Sequence, residues 1–141
     1  AEKELCKRAS LWGRPFRAEE LDALGVQDVG RLLESLRRRD ILTAHGGYGE
    51  MTIREYRFRS VLTEEIAYRM IAPEPRAGLH RQAGEVLVGS AGASSEEIAA
   101  HFERGEEPAI AARHYAQAAV TAETSHPWTP TEFRPLSMIT S

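Results

Sequence analysis

The sequence has few of the features that identify a secreted or membrane protein. Its 141 residues contain a single cysteine, Cys6, which excludes an internal disulfide and fits a reducing compartment. The longest run without a charge, 86–95, is far shorter than the roughly 20 apolar residues of a membrane span. No basic-then-apolar signal segment opens the chain. We therefore expect a cytoplasmic protein and, because the first residue is not Met, a piece of a longer one.

The sequence also lacks an excess of positive charge. It has 18 Lys and Arg against 21 Asp and Glu, a formal net charge of −3. Residues 1–72 carry 13 basic and 12 acidic side chains, and residues 73–141 carry 5 and 9. Neither half has the positive excess that dominates affinity for nucleic acids, so the composition disfavours DNA binding.

Catalytic and metal-binding patterns are missing as well. The five histidines form no i, i+4 pair and have no cysteine at ligand spacing. No serine has the Gly-x-Ser-x-Gly surroundings of a nucleophile elbow. The glycine-rich segment 46–49 lacks the Lys-Ser/Thr ending of a phosphate-binding loop. We therefore expect no enzyme activity, no metal and no cofactor in this chain.

What the sequence does contain is helical periodicity over most of its length. Three amphipathic helices are predicted first, the clearest over 26–39. The period then changes, and 41–44 and 52–58 are strand candidates joined by a glycine-rich turn. Three helices followed by a hairpin is the order of a winged helix-turn-helix, which predicts a winged-helix domain over 1–72.

Two more helices are predicted after the hairpin. The apolar side of the first consists of Val61, Leu62, Ile66 and Met70. Pro73 and Pro75 are expected to end it. The second is predicted over 77–88 with Leu79 and Val86 among its apolar residues, and 73–93 as a whole reads as a connector helix and linker.

The helix pair predicted over 94–124 carries the sharpest pattern. Its large, small and aromatic residues have the spacing of the tetratricopeptide signature: Ile98, Ala99, Phe102, Ala111, Tyr115 and Ala118. Ser94 or Ser95 is predicted to cap the first helix, and Ser94 with Glu97 three residues later would form a capping box. The predicted fold is therefore mainly α, a winged helix followed by a tetratricopeptide-like helical hairpin. Residues 125–141, with three prolines, are predicted to be an extended or disordered tail.

The candidate protein-interaction residues lie in the wing and in the groove of the helix pair: Tyr48, His101, Phe102, His114 and Tyr115. Packing in the core is the alternative for Phe102 and Tyr115. His101 and His114 are predicted on facing helices, where they can approach each other, but packing or surface positions are the favoured interpretation of both.

DNA binding by the winged helix is the alternative function. The candidate recognition helix is 26–39, where Asp28 and Glu34 would face phosphates and repel them. The basic run 37–39 lies at the C-terminal end, where cations complement the helix dipole. These charges rank DNA binding below a protein-interaction role.

Four blocks in order resemble one protein family. Residues 33–42 look like a helix that runs into a wing, and 56–68 look like the block that ends the winged helix. Residues 76–87 resemble the helix that comes next, and 98–102 resemble the opening of the repeats. The family is that of bacterial signal-transduction ATPases with numerous domains, which includes maltose-activator-like and antibiotic-regulator-like transcription factors.

The resemblance implies a non-catalytic regulatory module. The winged helix would pack on an upstream nucleotide-binding domain and pass its nucleotide state to downstream repeats, which bind a partner, with a transcriptional or signalling output. Relatives have a nucleotide-sensing histidine at the strand-to-helix corner, where this chain has Ser60 with Arg59 beside it. These two residues are the nucleotide-sensing candidates. ATP or ADP is expected in the full-length parent and not in this chain.

Overall fold

The computed structural model describes residues 1–46 and 54–125. This part of the chain is mainly helical and contains one two-stranded antiparallel sheet, as the sequence predicts at this level. In chain order the elements are α1 (Glu2–Ser10), α2 (Ala18–Ala23), α3 (Val29–Arg38), β1 (Leu42–Gly46), β2 (Arg54–Phe58), α4 (Val61–Arg69), α5 (Pro73–Val88), α6 (Ser95–Arg104) and α7 (Pro108–Ser125).

The first three helices pack their apolar faces together. In α3 the buried residues repeat at helical spacing: Val29, Leu32, Leu33 and Leu36. α1 contributes the buried Leu5 and Ala9. α3 begins at Val29, later than predicted, because Asp28 has a left-handed backbone with φ of 56°.

The hairpin is attached to this helical layer through its aromatic residues. β1 pairs with β2 from Leu42 opposite Phe58 to Gly46 opposite Arg54. Phe16, between α1 and α2, extends the sheet by exchanging two backbone hydrogen bonds of 2.8 and 2.9 Å with Tyr56. The rings of Phe16, Tyr56 and Phe58 are buried, so the sheet is fixed to the core. The predicted turn of the wing, which includes Tyr48, lies outside the described residues, as does nearly all of the predicted tail.

The apolar side predicted for α4 faces solvent, which corrects the sequence prediction. Val61, Leu62, Ile66 and Met70 are 81%, 63%, 51% and 45% exposed. The buried side consists of Ala67 and the half-buried Tyr68 and Glu64. α4 packs on α1 through this side, and the small Ala67 allows the two helices a close approach.

Pro73 and Pro75 begin α5, whereas the sequence predicts that they end α4. Proline fits the first turn of a helix because the backbone N–H groups there have no intrahelical acceptor. α5 therefore runs from Pro73 to Val88, and its buried residues are Ala77, His80, Ala83, Gly84 and Leu87. Leu79 and Val86, which were predicted on the apolar side, are only partly buried.

α5, α6 and α7 pack in sequence, with α6 in the middle. The Ser94 hydroxyl caps α6 by accepting the Glu97 N–H at 3.0 Å, so Ser94, one of the two predicted candidates, is the cap. Ala99 and Ala111 are buried at the contact between α6 and α7. At the end of α6 the Gly105 carbonyl accepts a 2.6 Å hydrogen bond from the Arg81 guanidinium on α5.

One continuous cluster of buried residues joins the two predicted domains. It extends from Leu5 and Phe16 through Leu87 on α5 to Phe102 and Ala111 on the last two helices. The ranges 1–72 and 94–124 therefore share a core. Among the described residues, no helix has the length and apolar character needed to cross a membrane.

Candidate functional site

The candidate residues of the helix pair are placed at different depths. His101 and Phe102 are 2% and 5% exposed and belong to the core. Phe102 stacks on the half-buried His114 with ring centroids 5.8 Å apart and planes 9° apart. Tyr115 is 39% exposed and donates a 2.7 Å hydrogen bond to Glu103, and this bond raises the pKa of the tyrosine. In this packing Tyr115 is the most accessible of the four to a partner.

His101 contacts His80 on α5 and not His114 on α7. The Nδ1 atoms of His80 and His101 are 3.0 Å apart, and the ring centroids are 5.2 Å apart. On the other side of His80, its Nε2 lies 2.9 Å from the Tyr68 hydroxyl of α4. Three helices are therefore joined by one chain of polar groups, which we call the Tyr68–His80–His101 relay.

Both histidines of the relay are neutral at pH 7. Burial is the main cause that lowers the pKa of His80 to about 3, and the neighbouring His101, Arg104 and Arg76 lower it further. Burial also lowers the pKa of His101 to about 4, with Arg104 and Arg14 acting in the same direction. A neutral imidazole has one N–H donor and one acceptor nitrogen.

An arginine connects α6 to the first helices. Arg14 donates to the Glu97 carboxylate on α6 at 2.7 Å and to both Glu20 oxygens on α2 at 2.9 and 3.0 Å. Its guanidinium also lies 5.1 Å from the ring of Trp12, which contacts His101 edge-on at 5.4 Å. Burial raises the pKa of Glu20, but the hydrogen bonds from Arg14 and from the Arg17 backbone outweigh it, so the pKa is lowered. The buried carboxylate is therefore paired, as burial of a charge requires.

The two nucleotide-sensing candidates lie at the corner between β2 and α4. The Ser60 hydroxyl caps α4 by accepting the Thr63 N–H at 3.3 Å. Arg59 is exposed, and its nearest acidic partner is Asp40 at 3.8 Å. Arg59 lines a cleft of about 610 Å³ together with Arg14, Arg57 and Glu64. Partial burial raises the pKa of the Glu64 carboxyl.

The apolar residues on the outer side of α4 form a candidate docking surface. We call Val61, Leu62, Ile66 and Met70 the α4 stripe. Leu62, Ile66 and Met70 follow at i, i+4 and i+8 and form one ridge along the helix. Single exposed apolar side chains are common, whereas a contiguous exposed group is a candidate for an interaction site. The stripe starts at the rim of the cleft, which Val61 also lines.

The outer face of α3, the candidate for DNA contact, has most of its cations in ion pairs. Arg31 pairs with Asp28 at 3.3 Å, and Arg37 pairs with Glu34 at 2.8 Å. Arg54 on β2 also reaches Glu34, at 3.3 Å. These carboxylates reduce the positive potential that would attract phosphates.

Sequence reasoning missed the relay and the ion pairs of Arg14. A signal for His80 exists, because Ala77, His80, Gly84 and Leu87 repeat at i, i+3, i+7 and i+10, the spacing of one buried helix face. Arg14 gives no such signal, since Glu97 is 83 residues away in the chain.

Burial raises the pKa of the Cys6 thiol, which makes it a poor nucleophile at neutral pH. Within residues 1–46 and 54–125, no group of three or more His, Cys, Asp or Glu side chains is arranged to hold a metal ion. No protein-family model, curated protein or solved structure matches the chain.

Proposed function

We propose that this chain is a non-catalytic regulatory module of a larger cytoplasmic signal-transduction ATPase. Its role is to couple the state of an upstream nucleotide-binding domain to a protein-binding repeat array that follows it, and so to a transcriptional or signalling output. The observation that carries the proposal is the α4 stripe, an apolar ridge on a helix that packs on the core only through its other side.

The position of the stripe favours a docking face for the nucleotide-binding domain. Leu62 and Ile66 are 63% and 51% exposed, and covering them with a partner removes apolar surface from water. The cleft with Arg57 and Arg59 adjoins the same end of α4. A partner seated on the stripe would therefore bring its own surface, and a phosphate bound to it, close to two arginines.

Arg59 and Ser60 are the nucleotide-facing residues of this proposal. Arg59 is free to leave its exposed 3.8 Å contact with Asp40, because such surface pairs contribute little, about 0–1 kcal/mol. The Ser60 oxygen accepts the capping hydrogen bond, and its hydroxyl proton is available for donation to an anion.

The winged-helix and tetratricopeptide interpretations of the fold belong to the same proposal. The order of three helices and a hairpin, with Phe16 extending the sheet, supports the first. The second is supported by Ala99 and Ala111, which are buried where α6 meets α7, and by Phe102 beside them. The end of this pair, with Tyr115 exposed, is the proposed start of the protein-binding array.

The test is made in the parent polypeptide that contains this chain. We expect the double variant Leu62→Ser and Ile66→Ser to change the rate of ADP release about tenfold, the change that loss of about 1.4 kcal/mol of docking free energy would give. Val88→Ser is the matched control, since Val88 is 56% exposed on α5, away from the stripe. Stopped-flow release of a fluorescent ADP analogue measures the rate.

Equal release rates in the parent polypeptide and in its double variant would refute the docking role of the stripe.

The DNA-binding alternative makes a different prediction for the chain itself. Fluorescence anisotropy with a generic DNA duplex would show affinity that collapses as the salt concentration rises. We expect no such salt-dependent binding, because Asp28 and Glu34 neutralise the outer face of α3.

A further inference from the structure

We propose that the Tyr68–His80–His101 relay is a two-state coupling element through which α4 and the α6–α7 pair respond to each other. Tyr68 lies on α4, His80 on α5 and His101 on α6, and hydrogen bonds of 2.9 and 3.0 Å connect them in series. His80 and His101 are 1% and 2% exposed, so water does not replace either partner. The relay thus spans three helices inside the shared core.

The count of protons gives the relay its two states. Only one proton fits between the two Nδ1 atoms, so one ring donates there and the other accepts. When His80 donates at Nδ1, its Nε2 is bare and accepts from the Tyr68 hydroxyl. When His101 donates, the Nε2 of His80 carries the proton and donates to the Tyr68 oxygen. The tautomers of both rings and the direction of the Tyr68 hydroxyl therefore change together.

One end of the relay borders the surface of α4, and the other end packs on a buried ring that leads to an ion pair. The Tyr68 ring is half-buried on α4 with the Arg76 guanidinium 4.6 Å from its centroid, and it borders a shallow depression that Val61 of the α4 stripe also lines. At the other end, His101 lies against the ring of Trp12, whose neighbour Arg14 holds Glu97 of α6. A shift of α4 relative to α5 therefore acts first on the Tyr68 hydrogen bond.

Loss of that hydrogen bond leaves the Nε2 atom of His80 buried without its partner, and a buried polar atom without a partner is costly. The relay then relaxes by changing the tautomer balance at His101, which loosens the contact of α5 with α6. The docking event that would move α4 rests on the proposed function. The relay itself is tested on this chain alone, so the two proposals fail separately.

The test compares the chain with its Tyr68→Phe variant, which removes one hydroxyl. Two-dimensional NMR of ¹⁵N-labelled histidine rings reports the tautomers, and native-state hydrogen exchange reports the protection of α6. We expect the ring nitrogen signals of His101 to move although residue 68 does not contact it. Amides that exchange through local opening, rather than through unfolding of the whole chain, report each helix separately. We expect the protection factors of such amides in α6 to fall about tenfold, the loss of one buried hydrogen bond, and those of such amides in α3 to stay unchanged.

Tyr115→Phe is the matched control, since its hydroxyl also makes one hydrogen bond, to the exposed Glu103 of α6. It is expected to leave both histidine rings unchanged. In the background of His101→Gln, adding Tyr68→Phe is expected to change α6 protection less than twofold. Unmoved His101 signals in Tyr68→Phe, or an equal loss of protection at the locally opening amides of α3 and α6, would overturn the coupling role.

Discussion

At the scale of the residue, the interior of this protein contains two titratable rings that must stay neutral. His80 and His101 are surrounded by cations: Arg76 and Arg104 act on His80, and Arg104 and Arg14 act on His101. Glu20 acts on His101 in the opposite direction, but Glu20 is itself held by Arg14. An added proton at either ring therefore gains little from its surroundings and loses its hydration.

This arrangement predicts that acid destabilises the fold. The pKa of each ring in the unfolded chain is near 6.5, whereas in the folded chain it is about 3 for His80 and about 4 for His101. The unfolded state therefore binds more protons below pH 6.5. The contribution of the two neutral rings to the free energy of unfolding is fully present above that pH. It falls as the pH drops from 6.5 toward 4, by on the order of 2 kcal/mol for each histidine at pH 5. Urea denaturation at pH 5, 6, 7 and 8 measures this fall in the free energy of unfolding.

His45→Gln is the control for this pH dependence. His45 lies exposed on β1, so its replacement introduces the same side chain without touching the two buried rings. His101→Gln should reduce the slope. If the free energy of unfolding of the unsubstituted chain is the same at pH 5 and pH 7, the two histidines are not buried in the neutral form.

At the scale of the element, the contact between α5 and the end of α6 depends on a missing side chain. A Cβ on Gly105 would lie 2.5 Å from Arg81 Cγ and 2.9 Å from the Arg81 backbone nitrogen. It would also lie 3.2 Å from the Ala77 carbonyl oxygen. The backbone of α5 cannot move aside easily, because His80 and Ala83 of the same helix are buried.

Gly105→Ala is accordingly expected to destabilise the chain by about 1–3 kcal/mol through overpacking. Gly89→Ala is the matched control. Gly89 ends α5 with φ of −84° and ψ of 3°, and Gly105 ends α6 with φ of −85° and ψ of 7°. Within the described part of the chain, a Cβ at Gly89 would come within 4 Å of the Val86 carbonyl oxygen alone, at 3.8 Å, which is an ordinary contact. Thermal denaturation of both variants decides the matter, and equal melting temperatures would refute the close packing at Gly105.

The elements also show what periodicity can and cannot predict. The apolar spacing of α3 predicted its buried face, because that helix packs between α1 and β1 with its stripe inward. The same kind of spacing in α4 gives no buried face, since Leu62 and Ile66 are four residues apart on one side of the helix but no described element covers them. A period identifies an apolar side and does not say whether that side meets the chain's own core or a partner. The prolines were misassigned because a proline at a helix start and one after a helix end have the same local signature.

At the scale of the whole molecule, the candidate site is made by contacts that no local pattern contains. The residue types of the tetratricopeptide-like spacing predicted that Ala99 and Phe102 would be close to α7, and both are buried there. The pairing of His80 with His101, and of Arg14 with Glu97, depends on how α5 and α6 are placed against the first helices. That placement follows from the shared core, which joins residues far apart in the chain.

The shared core predicts that the described part of the chain unfolds as one cooperative unit. Trp12 contacts His101 of α6 and has its ring beside Arg14, so its fluorescence reports the junction between the first helices and the last three. In a Trp128→Phe variant it is the only tryptophan. We expect urea transitions followed by Trp12 fluorescence and by far-UV circular dichroism to have the same midpoint, since the dichroism reports all helices.

Adding Gly105→Ala should lower both midpoints equally, although Trp12 is remote in sequence from residue 105. A helical signal that survives after Trp12 has become exposed would show that α5, α6 and α7 fold by themselves, and it would place the boundary between two independent domains inside what is one core here.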